Sequence, residues 1–425
     1  MKITTLFLSI FVLFAAVSCD QNPVFFSIFE EIPPQDPFIE GTPSNMVVFE
    51  RIYPDPEYPD DPLKNITVPI LYVGSDTINW YAKRNYGRPF PQNMEPGSSW
   101  NASIYWIPHP QPGGRIIQLA ATNDHLYALS LLIKTNTFTV HRIGKDSDSN
   151  WKYVTSSNSR IQTIFADPAG EGRIFAGASG SGSNFDILYL DNSNPDSPVL
   201  RELRTGTSLL SGAVFKGGSH YLSTRGSGIF QVSETVLSAG GSIDESDVLH
   251  LADESENNNH LFMGMIKLED TTILAIERNG GTFYKVDINL YQQIKIEDSD
   301  TETIRTGDFA TGALALWQST SPNPLTNMPD KKLIAGKQGN LFSASSVLNG
   351  YMEFDLDPTG SLDMEKRGSD PENVSSIGLI PINHLFQVPK DVDVNMIFFA
   401  STQNRGLWSL REISPQRWRW NAESD

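Results

Sequence analysis

The chain of 425 residues has a single cysteine, Cys19, so no internal disulfide can staple it. It is short of positive charge, with 32 Lys and Arg against 50 Asp and Glu, a net charge of −18. A body that acidic argues against binding to nucleic-acid phosphates or adsorption to anionic lipid. Long apolar runs are missing after the first residues, and no later stretch keeps the 3.6-residue apolar period of an amphipathic helix. Helices are therefore expected to be few. What the chain does have is 32 Gly, 27 Pro and 10% aromatics, the composition of many turns around a substantial core.

The start of the chain reads as a targeting segment. Lys2 gives a minimal positive start and Ile3 to Val17 an apolar stretch. That stretch falls short of the roughly 20 apolar residues a membrane-crossing helix needs. It ends Ala16-Val17-Ser18-Cys19, which resembles a bacterial lipobox, with Ala16 where Leu is most usual. The resemblance implies cleavage before Cys19, acylation of its thiol, and a protein anchored by lipid in the bacterial cell envelope, at the outer membrane or the periplasmic face of the inner one. An ordinary secretory cleavage beside an incidental cysteine is the other reading of these residues. Residues 1–18 are thus expected to be a signal peptide and residues 19–44 a lipidated tether, made semi-rigid by Pro23, Pro33, Pro34, Pro37 and Pro43.

From there one phrase recurs: an apolar strand ending in small residues, a polar turn with Gly, and a strand opening on Leu-aromatic. Its clearest copy is Met396-Ile397-Phe398-Phe399-Ala400-Ser401-Thr402-Gln403-Asn404-Arg405-Gly406-Leu407-Trp408. Others begin at Pro69, His125, Arg173, Tyr221, Thr272 and Leu333. Between Gly74, Ala128, Ala176, Ser223, Ala275, Ala335 and Ala400 the spacing brackets the length of a four-stranded propeller blade. An apolar run precedes each pair, as in Arg115 to Ala120 or Leu261 to Ile266, and suits an innermost strand. A more alternating run follows, as in Trp151 to Val154, Ile294 to Ile296 or Tyr351 to Leu356, and suits an outer one.

These repeats predict an all-β, seven-bladed β-propeller over residues 45–420, with six or eight blades as alternatives and residues 421–425 as a tail. Asn45 to Glu50 would be the first inner strand and Arg417 to Trp420 the last outer one. Ser319 to Lys331 and Asp357 to Val374 are expected to be insertions, and Ser242 to Asn259 and Glu297 to Glu302 surface excursions. The phrase resembles the repeats of WD40-like, sensor-type and quinoprotein-like propellers, a likeness that implies fold far more than activity.

Candidate chemistry is sparse. His109, His125, His141, His220, His250, His260 and His384 include no pair at His-x-x-x-His spacing. His125 and His220 precede equivalent strands, which points to a structural role. Asp146, Asp148 and Asn150, and Asp391, Asp393 and Asn395, share an Asp-x-Asp-x-Asn pattern of oxygen ligands that Ca²⁺ could use. Neither run has the Gly and Glu of an EF-hand loop, and such residues commonly bond their own backbone in turns. No metal or other cofactor is therefore expected, with calcium as the exception to check. Arg225 and Arg405 occupy equivalent turns and could line one face of the disc or simply be solvated. No catalytic set emerges. The expected function is non-enzymatic: a membrane-tethered scaffold or adhesin that binds a protein partner in the cell envelope. A channel-face enzyme of lyase, glycosidase or lactonase type, or a ligand-sensing propeller, is the alternative.

Overall fold

The computed structural model describes residues 39–423 except 56–57, 59, 76–77, 83–104, 110–111, 147–148, 156–159, 171, 181, 192–197, 240–242, 254–259, 269–271, 278–282, 288–291, 296–312, 323–326, 338–349, 357–361, 369–376, 378–379, 393–394 and 415–416. Cys19, Asp148 and Asp393 lie outside the described residues. Short β-branched and aromatic runs cut by Gly, Pro and Asn favour strands over helices, and strands dominate. One α-helix among the described residues, Glu234–Ser238, is five residues long.

The strands form seven antiparallel meanders. The first sheet comprises Met46–Tyr53, Ile66–Gly74, Ile78–Ala82 and Tyr105–His109; the second, Arg115–Ala121, His125–Leu132, Thr137–Gly144 and Lys152–Thr155. The third comprises Arg160–Ala166, Ile174–Ser179, Phe185–Asp191 and Val199–Thr207; the fourth, Leu210–Lys216, Ser219–Thr224, Ile229–Ser233 and Val248–His250. Phe262–Leu268, Thr272–Glu277, Phe283–Asp287 and Gln292–Lys295 make the fifth, and Ala252–Asp253 adds to its outer edge in parallel. Leu314–Pro322, Pro329–Lys337, Gly350–Leu356 and Leu362–Gly368 make the sixth, and Ile382–Gln387, Phe398–Thr402, Leu407–Ser414 and Arg417–Ala422 the seventh.

The first strand of each sheet lies beside the first strands of both neighbours, and Met46–Tyr53 meets Ile382–Gln387, so the sheets close a ring around an axis. The chain is an all-β β-propeller. Each hydrophobic cluster draws mainly on two neighbouring sheets, as Phe49, Ile70 and Tyr72 with Ile116, Leu119 and Leu126 do. The small residues of the repeated phrase permit this close approach. Ala128, Ala176, Ser223, Ala275, Ala335 and Ala400 are fully buried, and a Cβ on Gly74 would lie 2.3 Å from Ile116 Cγ2 of the next sheet.

An inner strand has one backbone edge without a sheet partner, and buried N–H and C=O groups must be satisfied somehow. Side chains from the neighbouring sheet do it. Asn45 donates to the Leu119 carbonyl and accepts from the Leu119 amide, both at 2.7 Å. Gln118 accepts from the Ile164 amide at 3.0 Å, and Thr163 donates to the Leu210 carbonyl at 3.0 Å. Gln387 holds both backbone groups of Gln318 at 2.8 Å.

The seam between the seventh and first sheets is closed differently. Gly406 donates to the Gly41 carbonyl at 2.9 Å, Leu407 to Ile39, and Ser44 to Gly74. Ser401 donates to the Pro43 carbonyl, and Ile39 is 1% exposed within the apolar cluster that joins the two sheets. The residues just before the first strand are thus part of the ring's packing. At the other terminus the last strand runs on through Asn421 and Ala422, and buried Glu423 accepts from Ser409.

Four expectations need correction, the first being that Asp357 to Val374 is an insertion, since Leu362–Gly368 within it is the outer strand of the sixth sheet. Ser319 to Lys331 is mostly ladder and not insertion, because Leu314–Pro322 and Pro329–Lys337 form a hairpin that extends to the Pro322–Pro329 pair. Proline is tolerated there because the end of a hairpin needs no further ladder bond. Tyr351 to Leu356 lies in the third strand of its sheet, not the outer one, which is Leu362–Gly368. Alternation cannot tell third from fourth, since both have one face on a neighbouring sheet. Finally, Ser242 to Asn259 is no simple excursion: Val248–His250 completes the fourth sheet and Ala252–Asp253 caps the fifth.

Candidate functional site

Two constellations stand out from the packing. The first lies between the third and fourth sheets. Asp167 sits in the turn joining Arg160–Ala166 to Ile174–Ser179, where its Oδ1 accepts from the Ala169 amide at 2.8 Å. Arg173 closes that turn and donates from Nε to Asp167 Oδ2 at 2.8 Å. Its other arm reaches both oxygens of Glu234 at 2.6 Å. Glu234 opens the short helix that Ser233 caps by accepting from the Thr235 amide. His220, from the second strand of the fourth sheet, places Nε2 2.7 Å from Glu234 Oε2 and Nδ1 3.5 Å from Asp167 Oδ1. Its ring is enclosed by Phe175 and Phe215, centroids 5.1 and 4.8 Å away.

Asp167 and His220 are fully buried and the Arg173 side chain is 8% exposed. Burial by itself would push the Glu234 carboxyl up, but hydrogen bonds from Arg173, His220 and Ser238 hold it at about 2. Burial likewise disfavours the Arg173 charge, yet Glu234 and Asp167 hold the guanidinium firmly protonated. Asp167, His220 and Glu234 are the one group among the described residues with the spacing of metal ligands. A metal would have to displace Arg173 from both carboxylates. The constellation is therefore already neutralised from within, as a cross-link between two sheets.

The second constellation encircles the axis. In a four-stranded meander, the turns between second and third strands share one end of the ring with the connections between sheets. At that end five inner strands carry an extra residue at the same level. Ile117, Gln162, Ser211, Met263 and Asn383 are each skipped where the inner strand pairs with the second. The described ladders of the first and sixth sheets end short of this level, at the Met46–Val73 and Leu314–Ala335 pairs. A bulge bends its strand and re-aims the side chains around it, and bulges concentrate at rims and sites.

Arg225 belongs to this end. Its amide donates to the Leu209 carbonyl at 2.9 Å, and it forms a bridge with Leu261. Leu209 and Leu261 precede the inner strands of the fourth and fifth sheets, so the Arg225 backbone is held beside the axis. Gly226, at φ 133, makes the turn that permits this; a Cβ there would lie 2.9 Å from Ser208 Oγ. The Arg225 side chain is exposed. Its charge is felt at His384, on the inner strand of the seventh sheet beside its bulge. Burial first, and Arg225 second, push the His384 imidazole down to about 4. At neutral pH His384 is uncharged.

Among the described residues, the other sequence candidates sit on separate turns and strands. Arg405 is exposed in the equivalent turn of the seventh sheet, where its carbonyl accepts from Trp408 Nε1 at 2.9 Å. The Asp146 backbone carbonyl accepts from Arg51 at 2.7 Å, which sets a guanidinium beside that run. Asp391 and Asn395 are exposed turn residues. His125 stands in its half-buried strand position and His220 in the ion network. Sequence reading missed Asp167, Arg173 and Glu234, because Glu234 lies 61 residues from Arg173 and no local pattern joins them. The one usable signal was the Ser233-Glu234 start of a helix after a strand.

No family model matches the chain, and no curated protein matches it. Among solved structures it is similar to Sqt1 of Chaetomium thermophilum, there bound to the N-terminus of ribosomal protein L10, at 12% identity and TM-score 0.46, covering 88% of this chain and 87% of that one. It is similar to YCF48 of Cyanidioschyzon merolae at 11% identity and TM-score 0.47, covering 88% and 96%. Virginiamycin B lyase of Staphylococcus aureus matches at 10% identity and TM-score 0.49, again covering 88% and 96%. At such identities no activity or partner carries over.

Proposed function

We propose that the chain is a lipid-anchored protein of the bacterial cell envelope whose propeller binds a protein partner. The observation that carries this reading is the seam. Ile39 to Ser44 are hydrogen-bonded into the junction of the seventh and first sheets, so the chain leading back to Cys19 departs from a fixed edge of a rigid ring. A Pro-rich stretch before that edge suits a spacer, and acyl chains on Cys19 would supply the membrane affinity that a body of net charge −18 lacks. The buried Asp167–Arg173–Glu234–His220 network supports a scaffold, since its charges are spent on holding two sheets together.

The test is expression of the full chain and of Cys19→Ala in a bacterial host. The parent should partition with membranes and carry acyl mass on its N-terminal peptide, and Cys19→Ala should do neither. Crosslinking in intact cells should then capture a partner with the parent. A Cys19→Ala protein that stays wholly with membranes, or a parent without acyl mass, would refute the anchor. A ligand-sensing reading has one observation in its favour, the ring of bulges at one end of the axis.

A further inference from the structure

We propose that the cleft between the seventh and first sheets is a binding site for an extended peptide segment of a protein partner, filled in this structure by the chain's own residues Ile39 to Pro43. It rests on the partner-binding reading for its use in the cell, and not on the lipid anchor.

At every other seam the chain itself runs from one sheet into the next, as Ser208-Leu209 does between the third and fourth. The seventh and first sheets have no such connection, and Ile39 to Pro43 lie where it would run. Only non-covalent contacts hold this segment against the seventh sheet, so another chain of the same shape can take its place. The two sheets also meet without it. Met46–Tyr53 contacts Ile382–Gln387, and Met46 and Leu71 belong to the same apolar cluster as Ile397 and Phe399. Exchange of the segment leaves those closing contacts standing.

The contacts follow the pattern by which a peptide adds to an exposed sheet edge, main chain first and side chains second. The Leu407 amide donates to the Ile39 carbonyl at 3.2 Å, and the Gly406 amide to the Gly41 carbonyl at 2.9 Å. Ser75 Oγ of the first sheet donates to the Glu40 carbonyl at 3.0 Å, and Ser401 Oγ of the seventh to the Pro43 carbonyl. All of these acceptors are backbone groups that any extended segment carries. Side chains then select. Ile39 is buried in the apolar cluster that joins Val73 to Phe399 and Leu407. Gly41 stands at φ 74, where glycine is favoured. Thr42 Oγ1 donates to Asn404 Oδ1 at 2.9 Å and accepts from the Asn404 amide at 3.0 Å. Glu40 and Gly41 are exposed, so the segment lies at the surface, within reach of a competing chain. The ligand is therefore an extended stretch reading apolar-x-Gly-Thr.

Fluorescence anisotropy tests this, with a labelled synthetic peptide of residues 37–44 titrated with the full chain in detergent. The parent should bind weakly, because its own segment competes at a high effective concentration. Ile39→Ser weakens the segment in cis and should bind the peptide roughly tenfold more tightly or better. The same peptide carrying Ile39→Ser should lose a similar factor. The unaltered peptide should also raise the unfolding temperature of the Ile39→Ser protein more than that of the parent. Cys19→Ala should behave as the parent does, so loss of the anchor and loss of this site can be told apart. If the Ile39→Ser protein does not fold, Thr42→Val, which removes only the pair with Asn404, decides by the same comparison. A folded variant that binds the peptide no more tightly than the parent overturns the proposal, and so does equal binding of the two peptides.

Discussion

Replacing Arg173 with Met keeps the aliphatic stem and removes the cation between Asp167 and Glu234. The magnitude follows from what is left behind. Asp167 is fully buried and would face His220 with no guanidinium against it. Glu234 would lose the contact that does most to offset its burial. Its carboxyl stands at about 2, against an ordinary 4.5, and that difference corresponds to about 3 kcal/mol. Because 22% of the Glu234 side chain is exposed, solvent screening reduces its share to about 1–2 kcal/mol. Breaking a buried pair from one side costs about 3–5 kcal/mol, so about 3 kcal/mol overall is the expected loss at pH 7. Urea unfolding of parent and variant across the acid range measures it. A carboxyl held low stabilises the fold above its unfolded value and loses that contribution as pH falls through its folded one. The gap between parent and Arg173→Met should therefore be widest at neutral pH and shrink as the pH drops from about 4.5 towards 2. Adding Glu234→Gln to Arg173→Met should recover part of the loss. A gap under about 0.5 kcal/mol, or one that does not change with pH, would show that the network does not hold the two sheets together.

Gly74→Ala should destabilise by about 1–3 kcal/mol, since the new methyl falls 2.3 Å from Ile116 Cγ2, and Ile116→Ala in the same chain should relieve much of the clash. A Gly74→Ala protein as stable as the parent would mean the sheets are free to move apart there. Deleting residues 20–44 removes buried Ile39 and unpairs the amides of Gly406 and Leu407, so it should cost several kcal/mol more than deleting residues 20–36 alone. Equal urea midpoints for the two deletions would show that the seam closes without this segment.

Much of the architecture was legible because a repeated strand pair is a local signal. Alternation, turn glycines and small anchors depend on residues a few positions apart, and second strands such as His125–Leu132 and Phe398–Thr402 fell where the phrase put them. Legibility failed where two placements satisfy the same local rule. Tyr351 to Leu356 alternates as an outer strand should, yet Phe354 is buried against Phe283 of the preceding sheet at 5.2 Å, in the third position. The repeat also hid the bulges, because one extra residue in a run such as Leu210-Ser211-Gly212 changes no composition and shifts only the pairing register.

The sequence by itself determined that strands would form and roughly where they turn. Short-range sterics and hydrophobic period act within a strand or hairpin and leave their mark in order along the chain. Only the tertiary structure decided which charges meet. Asp167, Arg173, His220 and Glu234 are joined by closing the third sheet on the fourth, and Arg225 comes within electrostatic reach of His384 only when the ring closes across 159 residues of chain. Those contacts depend on which sheet packs against which and at what register, and neither is encoded at any spacing that a linear pattern can display.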